Sequence, residues 1–305
     1  MTQRILVIKL AALGDVVQAF GPFAAIRAHH PAAEITLLTT PPYAALLARS
    51  PWFDRIWADG RPAWHELPAL WRLARRLRGA GFARVYDLQT SSRSSRYRRL
   101  VGSGAEWSGI ARGASHPHAN PLRDFMHTAE RQREQLEMAG ITEFPPPAIG
   151  WLDEDVSGLG LPPRFALLVP GASATRPGKR WPAERFGALA AGLDLPAVIL
   201  GAAAERPLAA AIRRVAPQAI DLTGRTSFAA IGAVARQAAY AVGNDTGPTH
   251  LIAATGCPTL ALFGPESDPA LCAPRGRAVA VLRHADLAAL EVTAVRGALA
   301  ALLTP

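Results

Sequence analysis

Residues 241–254 hold a set of side chains suited to gripping an anion. The order is Ala241-Val242-Gly243-Asn244-Asp245-Thr246-Gly247-Pro248-Thr249-His250, followed by the small and apolar Leu251, Ile252, Ala253 and Ala254. A short apolar strand ends in glycine, a polar turn follows, and a helix opens with Pro248 near its first turn, where a missing amide proton costs nothing. Helix-start amides and the positive end of the helix dipole then point past the strand's carboxyl end, which suits a phosphate. Thr246 and Thr249 add hydroxyl donors, and Gly247 lets a ligand approach the backbone closely. Asn244 or Asp245 as an ordinary helix cap is the plainer reading, but a cap does not call for His250 one turn further on.

With the Gly-Pro turn that follows, this stretch resembles glycosyltransferase family 9, the bacterial heptosyltransferases of the lipopolysaccharide inner core. The family's Asp-Ser/Thr-Gly-x-x-His signature is matched by Asp245, Thr246, Gly247 and His250, and its Gly-Pro-x-x-Asp-Pro turn by Gly264, Pro265, Asp268 and Pro269. Near the start, a Lys-x-x-x-x-Gly-Asp pattern is matched by Lys9, Gly14 and Asp15. A hydroxyl-rich loop before Lys-x-Trp-Pro is matched by Thr175, Lys179, Trp181 and Pro182. Asp87, Leu88, Gln89, Ser92, Arg93 and Ser94 resemble a further Asp-Leu-Gln segment with Ser and Arg after it. The resemblance implies an α/β GT-B fold, two Rossmann-like doubly wound domains facing a central cleft.

The same resemblance implies roles. Asp15 inherits that of the base that deprotonates an acceptor hydroxyl, with Lys9 as an acceptor-side cation. An inverting transfer needs a base on the face opposite the departing diphosphate, and a cleft can adjust an aspartate's pKa for that work. Lys179 neutralises the diphosphate as its charge grows, the work of a divalent metal in other transferases, while Ser173 and Thr175 donate to phosphate oxygens. Asp245, Thr246, Gly247 and His250 complete the donor cradle, Glu205 contacts the donor's ribose, and Arg93 and Arg96 hold acidic groups of the acceptor. No metal or other cofactor is expected. The implied donor is ADP-heptose and the implied acceptor an anionic glycolipid carrying Kdo or heptose. Ala11 and Ala12 stand where small hydroxyl residues are common in the family, which leaves other sugars and acceptors open.

The elements that must place these residues are legible in the patterning. Residues 4–10 form a β-branched, leucine-rich run of buried-strand length, followed by a Gly14-Asp15 turn, a helix-like stretch over 16–29 and a strand over 34–39. This opens a doubly wound sheet, and Asp15 falls at the carboxyl end of the first strand, where such sheets place their ligands. As a helix cap, Asp15 would need no such role. The segment has no Gly-x-Gly-x-x-Gly, which argues against a dinucleotide. Residues 64–78 read as an amphipathic helix with Leu67, Leu70, Leu73, Ala74 and Leu77 inward and Arg72, Arg75, Arg76 and Arg78 outward, an ordinary charged face. A strand over 84–89 leads into a Ser/Arg loop at 90–99, and 101–125 reads as glycine- and proline-rich loop containing His116 and His118, a weak metal signal. Pro145-Pro146-Pro147 and Gly150 mark a boundary between an acceptor-binding domain, 1–150, and a nucleotide-sugar-binding domain, 151–305. Asp153-x-Asp155 lies in that linker and reads as a solvated turn.

Composition sets the outer bounds. With 305 residues, half of them apolar, the chain can bury two cores. No uncharged apolar run approaches the ~18 residues of a membrane span, and no signal peptide is evident. Two cysteines, Cys257 and Cys272, offer neither metal spacing nor a disulfide framework. The cytoplasm is the expected location, with contact at the inner face of the cytoplasmic membrane left open. Nineteen basic against twelve acidic residues give 1–150 a balance of +7 out of the chain's +9. Such a field attracts nucleic acid, anionic membrane or an acidic glycan. No basic motif interleaved with aromatics supports nucleic acid. Lysine appears twice, at Lys9 and Lys179, in a chain that otherwise uses arginine, so a compact ammonium is wanted at both. A non-catalytic nucleotide-sugar sensor is the alternative from another functional class.

Overall fold

The computed structural model describes residues 2–58, 61–63, 65–102, 104–173 and 175–304. The chain divides into two compact units, Met1–Trp151 and Leu152–Pro305. Unit 1 contains β1 (Arg4–Ile8), α1 (Leu13–Val17), α2 (Phe20–His29), β2 (Glu34–Leu38), α3 (Pro41–Leu47), β3 (Arg55–Trp57), α4 (Leu67–Gly79), β4 (Arg84–Asp87), α5 (Ser92–Val101), β5 (Glu106–Gly109), β6 (His116–Pro117) and α6 (Thr128–Glu137). Unit 2 contains β7 (Ala166–Val169), α7 (Ala183–Ala191), β8 (Ala197–Ile199), α8 (Arg206–Val215), β9 (Ile220–Asp221), α9 (Phe228–Gln237), β10 (Tyr240–Asn244), α10 (Gly247–Ala254), β11 (Thr259–Phe263), α11 (Pro269–Cys272), β12 (Val279–Arg283) and α12 (Val292–Leu303).

Among the described residues each unit is built on one six-stranded sheet, ordered β3-β2-β1-β4-β5-β6 in unit 1 and β9-β8-β7-β10-β11-β12 in unit 2. The two orders are the same, and the strand pairs are parallel, as for β1 with β2 and β4 and for β10 with β7 and β11. This is the doubly wound arrangement expected from the strand-helix alternation. Strand order turns back between β1 and β4, and between β7 and β10, so the loops after those strands flank a switch point at the sheet's carboxyl edge. The central strands are buried on both faces, and Ile5, Leu6, Val7 and Ile8 are all inaccessible. Leu6, Ile8, Leu73, Leu77 and Trp107 share one core in unit 1, while Leu168, Trp181, Phe186, Val242 and Leu260 share another in unit 2.

The structure departs from the sequence reading in several places. Residues 16–29 are two helices, α1 and α2, rather than one. Ser/Arg residues 92–101 form α5 instead of a loop, because Ser91 accepts a hydrogen bond from the Ser94 amide and starts the helix, while Tyr97 and Ser94 are buried beneath it. The glycine-rich 101–125 segment supplies β5 and β6, anchored by the fully buried Trp107. Leu67 begins α4 and is exposed, so it does not belong to the inward stripe. The expected helix start at Trp64 lies outside the described residues.

Candidate functional site

In unit 2 the site is built around the end of β10. Gly243 is required there, since a Cβ would lie 2.6 Å from the Thr249 hydroxyl and 2.8 Å from the Val169 Cβ. Asn244 follows, fully buried; its Oδ1 accepts from the Trp181 amide at 3.1 Å and its Nδ2 donates to the Pro170 carbonyl at 2.8 Å. One side chain thus ties both ends of the 170–181 loop to the strand. Sequence reasoning took Asn244 for an optional cap; the signal that distinguishes it is an amide ending an apolar strand, where burial obliges partners for both of its polar atoms. The N-cap of α10 is Thr246, in extended conformation and without a side-chain capping bond, and Gly247 and Pro248 form the first turn. Thr249 is not a ligand donor. It is buried, and its hydroxyl donates to the Asn244 carbonyl at 2.7 Å.

Asp245 gathers the charges. Its Oδ2 accepts from Lys179 Nζ at 2.5 Å, and its Oδ1 lies 3.3 Å from His250 Nε2. All three side chains are largely withdrawn from water, Lys179 being 12% exposed, Asp245 5% and His250 6%. Burial pushes the Asp245 carboxyl up, but the bonds from His250 and Lys179 outweigh it and hold the pKa down at about 2. Lys179 ends a short 3-10 turn, Pro177–Lys179, whose Gly178 amide donates to Glu266 Oε1 at 3.3 Å. Gly264 is seated against that turn so closely that a Cβ would fall 2.0 Å from the Gly178 carbonyl oxygen. Ser173 and Thr175 are exposed, with their hydroxyls 2.9 Å apart. Glu205 accepts from the Ala202 amide at 2.7 Å and lies over the Gly171 backbone, where any side chain would overlap it. The loops after β7, β8 and β10 thus bring an ammonium, hydroxyls and carboxylates to one carboxyl edge.

In unit 1 the corresponding edge carries Asp15. It is the third residue of α1 and half-exposed; Oδ2 accepts from the Ala12 amide at 3.1 Å. Among the described residues its other oxygen takes no hydrogen bond. The loop that carries it is clamped by Gln89, whose Oε1 accepts from both the Leu10 amide at 2.8 Å and the Ala11 amide at 3.1 Å. Gln89 is the second positioning residue that sequence reasoning left without a role. Lys9 is 4% exposed and donates from Nζ to the Leu88 carbonyl at 3.1 Å, with its pKa lowered by burial and pulled back up by Asp15 and Asp87. Its ammonium faces inward under the β1 and β4 loops. The charge of Asp15 also acts on Tyr43 and on the half-buried Arg131 of α6. Arg93, on α5, donates to the Pro62 carbonyl at 2.7 Å, and Arg96 is exposed on the same helix.

The two histidines of the His-x-His pair face different carboxylates. His118 Nε2 lies 2.8 Å from Glu134 Oε2, and His116 Nε2 lies 3.7 Å from Glu106 Oε2. Among the described residues no group of three or more His, Cys, Asp or Glu side chains is placed to hold a metal ion.

The family model described as glycosyltransferase family 9 (heptosyltransferase) matches residues 70–293. The chain belongs to this family. It is 28% identical, over 90% of its own length and 82% of the relative's, to lipopolysaccharide heptosyltransferase 1 of Pseudomonas aeruginosa. Its fold is shared by a family 9 glycosyl transferase from Veillonella parvula, with a TM-score of 0.82 at 22% identity, covering 99% of this chain and 97% of that one. E. coli ADP-heptose lipopolysaccharide heptosyltransferase II gives 0.77 at 22% identity, covering 99% and 98%. E. coli heptosyltransferase WaaC, solved with ADP, gives 0.74 at 20% identity, covering 98% and 100%. The GT-B fold and the glycosyltransferase class read from the sequence are thereby confirmed. Among the described residues no helix is long and apolar enough to cross a membrane.

Proposed function

We propose that this family 9 glycosyltransferase moves a heptose from ADP-heptose to a Kdo or heptose residue of a lipopolysaccharide core, with inversion and without a metal. The observation that carries the reading is the fixed ammonium of Lys179, held by Asp245 beside the start of α10. A cation and helix-start amides at one strand edge suit a diphosphate and stabilise it further as it departs. The names of the relatives supply the donor: a heptosyltransferase solved with ADP, and another named for ADP-heptose.

Unit 2 is the donor half in this account. Lys179, Ser173, Thr175, Thr246 and Gly247 meet the diphosphate, Glu205 the ribose, and Asp245 and His250 keep Lys179 in place. Unit 1 is the acceptor half. Asp15 takes the proton from the acceptor hydroxyl through the oxygen its cap leaves open, and Arg93 and Arg96 meet acidic groups of a glycolipid at the inner membrane face. Lys9, buried beneath the loop, supports Asp15 electrostatically.

The test is release of ADP from ADP-heptose with a purified Kdo-lipid acceptor in EDTA, run beside other nucleotide sugars. Acceptor-dependent release from ADP-heptose alone supports the reading. Release only from another nucleotide sugar reassigns the donor, release abolished by EDTA refutes metal independence, and donor binding with no turnover on any acceptor makes the chain a sensor.

A further inference from the structure

Helix α4 presents a surface that neither strand edge uses. Leu73 and Leu77 face inward and are fully buried, whereas Leu67 and Trp71 are 67% and 63% exposed. Helical spacing sets Leu67, Trp71, Arg75 and Arg78 along one outward stripe with Arg72 and Arg76 beside it. The Arg75 guanidinium sits 5.5 Å from the centre of the Trp71 ring, and that of Arg76 sits 3.9 Å from the centre of Trp57. Among the described residues Arg72, Arg75 and Arg78 have no carboxylate partner. The helix borders an open groove of about 520 Å³ whose lining includes five arginines and one acidic residue, Glu34. That carboxylate is already occupied by Arg55 at 3.0 Å and Arg4 at 3.8 Å. The face therefore carries an uncompensated positive charge around two exposed apolar side chains.

A solvated charged helix has no use for an exposed tryptophan and leucine one turn apart. An anionic bilayer uses both parts of the pattern: an indole and an aliphatic side chain enter the headgroup boundary while arginines reach the phosphates. Single-stranded nucleic acid would also take the arginines and stack on Trp71, but Leu67 offers a base nothing to stack on. We propose that the outer face of α4 docks the protein on an anionic phospholipid surface, with Leu67 and Trp71 inserted at the headgroups and Arg72, Arg75 and Arg78 on lipid phosphates. This surface is independent of the reaction proposed above and would stand if the donor or acceptor were reassigned.

The experiment is co-sedimentation of the full chain with vesicles of phosphatidylcholine, with and without phosphatidylglycerol. The wild type is compared with Trp71→Ser and with the triple variant Arg72→Gln, Arg75→Gln, Arg78→Gln, each checked for an unchanged thermal melt. Binding should require phosphatidylglycerol and weaken with salt. At roughly fivefold per arginine, the triple variant should bind on the order of a hundredfold more weakly. Trp71→Ser should also lose affinity, and indole quenching by bromine-labelled acyl chains should fall to background in Trp71→Phe. Equal binding to neutral vesicles, or full binding by the triple variant, would overturn the proposal. So would displacement from vesicles by a stoichiometric single-stranded oligonucleotide. A failed heptose transfer would leave these results standing.

Discussion

Strands β4 and β10 occupy the same place in their sheets, next to the first strand of the unit on the side where the order turns back. β4 ends in Asp87, and Asp245 immediately follows β10; both are buried. Their ionisation is opposite. Burial pushes Asp87 up to about 7, against weaker pulls from Ser94, the Thr90 and Gln89 amides and Lys9. Asp245 also pays for burial, yet it sits at about 2, because His250 and Lys179 both bond to it. Lys9, the lysine near Asp87, donates to the Leu88 carbonyl instead. Position in the fold brings a carboxylate to the sheet edge, and the bonds its neighbours aim at it set how readily it is charged there.

The largest expected break in this comparison is Asp245→Ala. It strands a Lys179 ammonium with little access to water, so unit 2 should lose about 3 kcal/mol or more in urea denaturation. A loss under ~1 kcal/mol would mean that the Lys179 pair is no tighter than a surface bridge. A smaller effect is expected in acid. The folded pKa of Asp245, about 2, lies below its ordinary 3.8, so its stabilisation is present above 3.8 and lost as pH falls through 2. That contribution is worth roughly 2 kcal/mol and should be missing from Asp245→Asn in a pH series.

Asp87 should show the reverse sign. Its folded pKa is raised from 3.8 to about 7, so the native state holds the proton more tightly, and stability should decline as pH rises across that window. Asp87→Asn should flatten the decline in melting temperature, and an unchanged slope would show that Asp87 is ionised throughout. The smallest effect is expected at Gln89. Gln89→Leu leaves the Leu10 and Ala11 amides without their acceptor and loosens the loop carrying Asp15. The turnover number should fall about tenfold with ADP affinity unchanged, and Gln89→Glu, which keeps an acceptor oxygen, should recover most of it. Equal losses in turnover and ADP affinity would show a general structural role instead.

The doubly wound alternation was legible because buried parallel strands are short apolar runs with glycine or polar turns after them, as at Arg4–Ile8 and Thr259–Phe263. β5 and β6 were hidden because their glycines and prolines read as loop, whereas long-range contacts define them: Trp107 of β5 is buried in one core with Leu73 and Leu77 of α4 and Tyr97 of α5, and β6 pairs with β5. α5 was hidden because serine and arginine give no apolar period, so only its Ser91 cap announces it. The charge-bearing residues of the site were visible by type and spacing. The amides that hold them, Asn244 and Gln89, were not, because their work is to bond backbone groups from distant segments, which no local pattern encodes. Thr249 misled for the same reason: its hydroxyl is spent on the Asn244 carbonyl.

The most direct test compares Asp15→Asn and Lys179→Ala side by side, measuring ADP affinity by calorimetry and heptose transfer by product formation. A clean separation is expected. Asp15→Asn should bind ADP as the wild type does and lose about 10²- to 10⁴-fold in transfer, the range for a removed general base. Lys179→Ala should bind ADP markedly more weakly. Transfer at the wild-type rate by Asp15→Asn, or unchanged ADP affinity in Lys179→Ala, would contradict it.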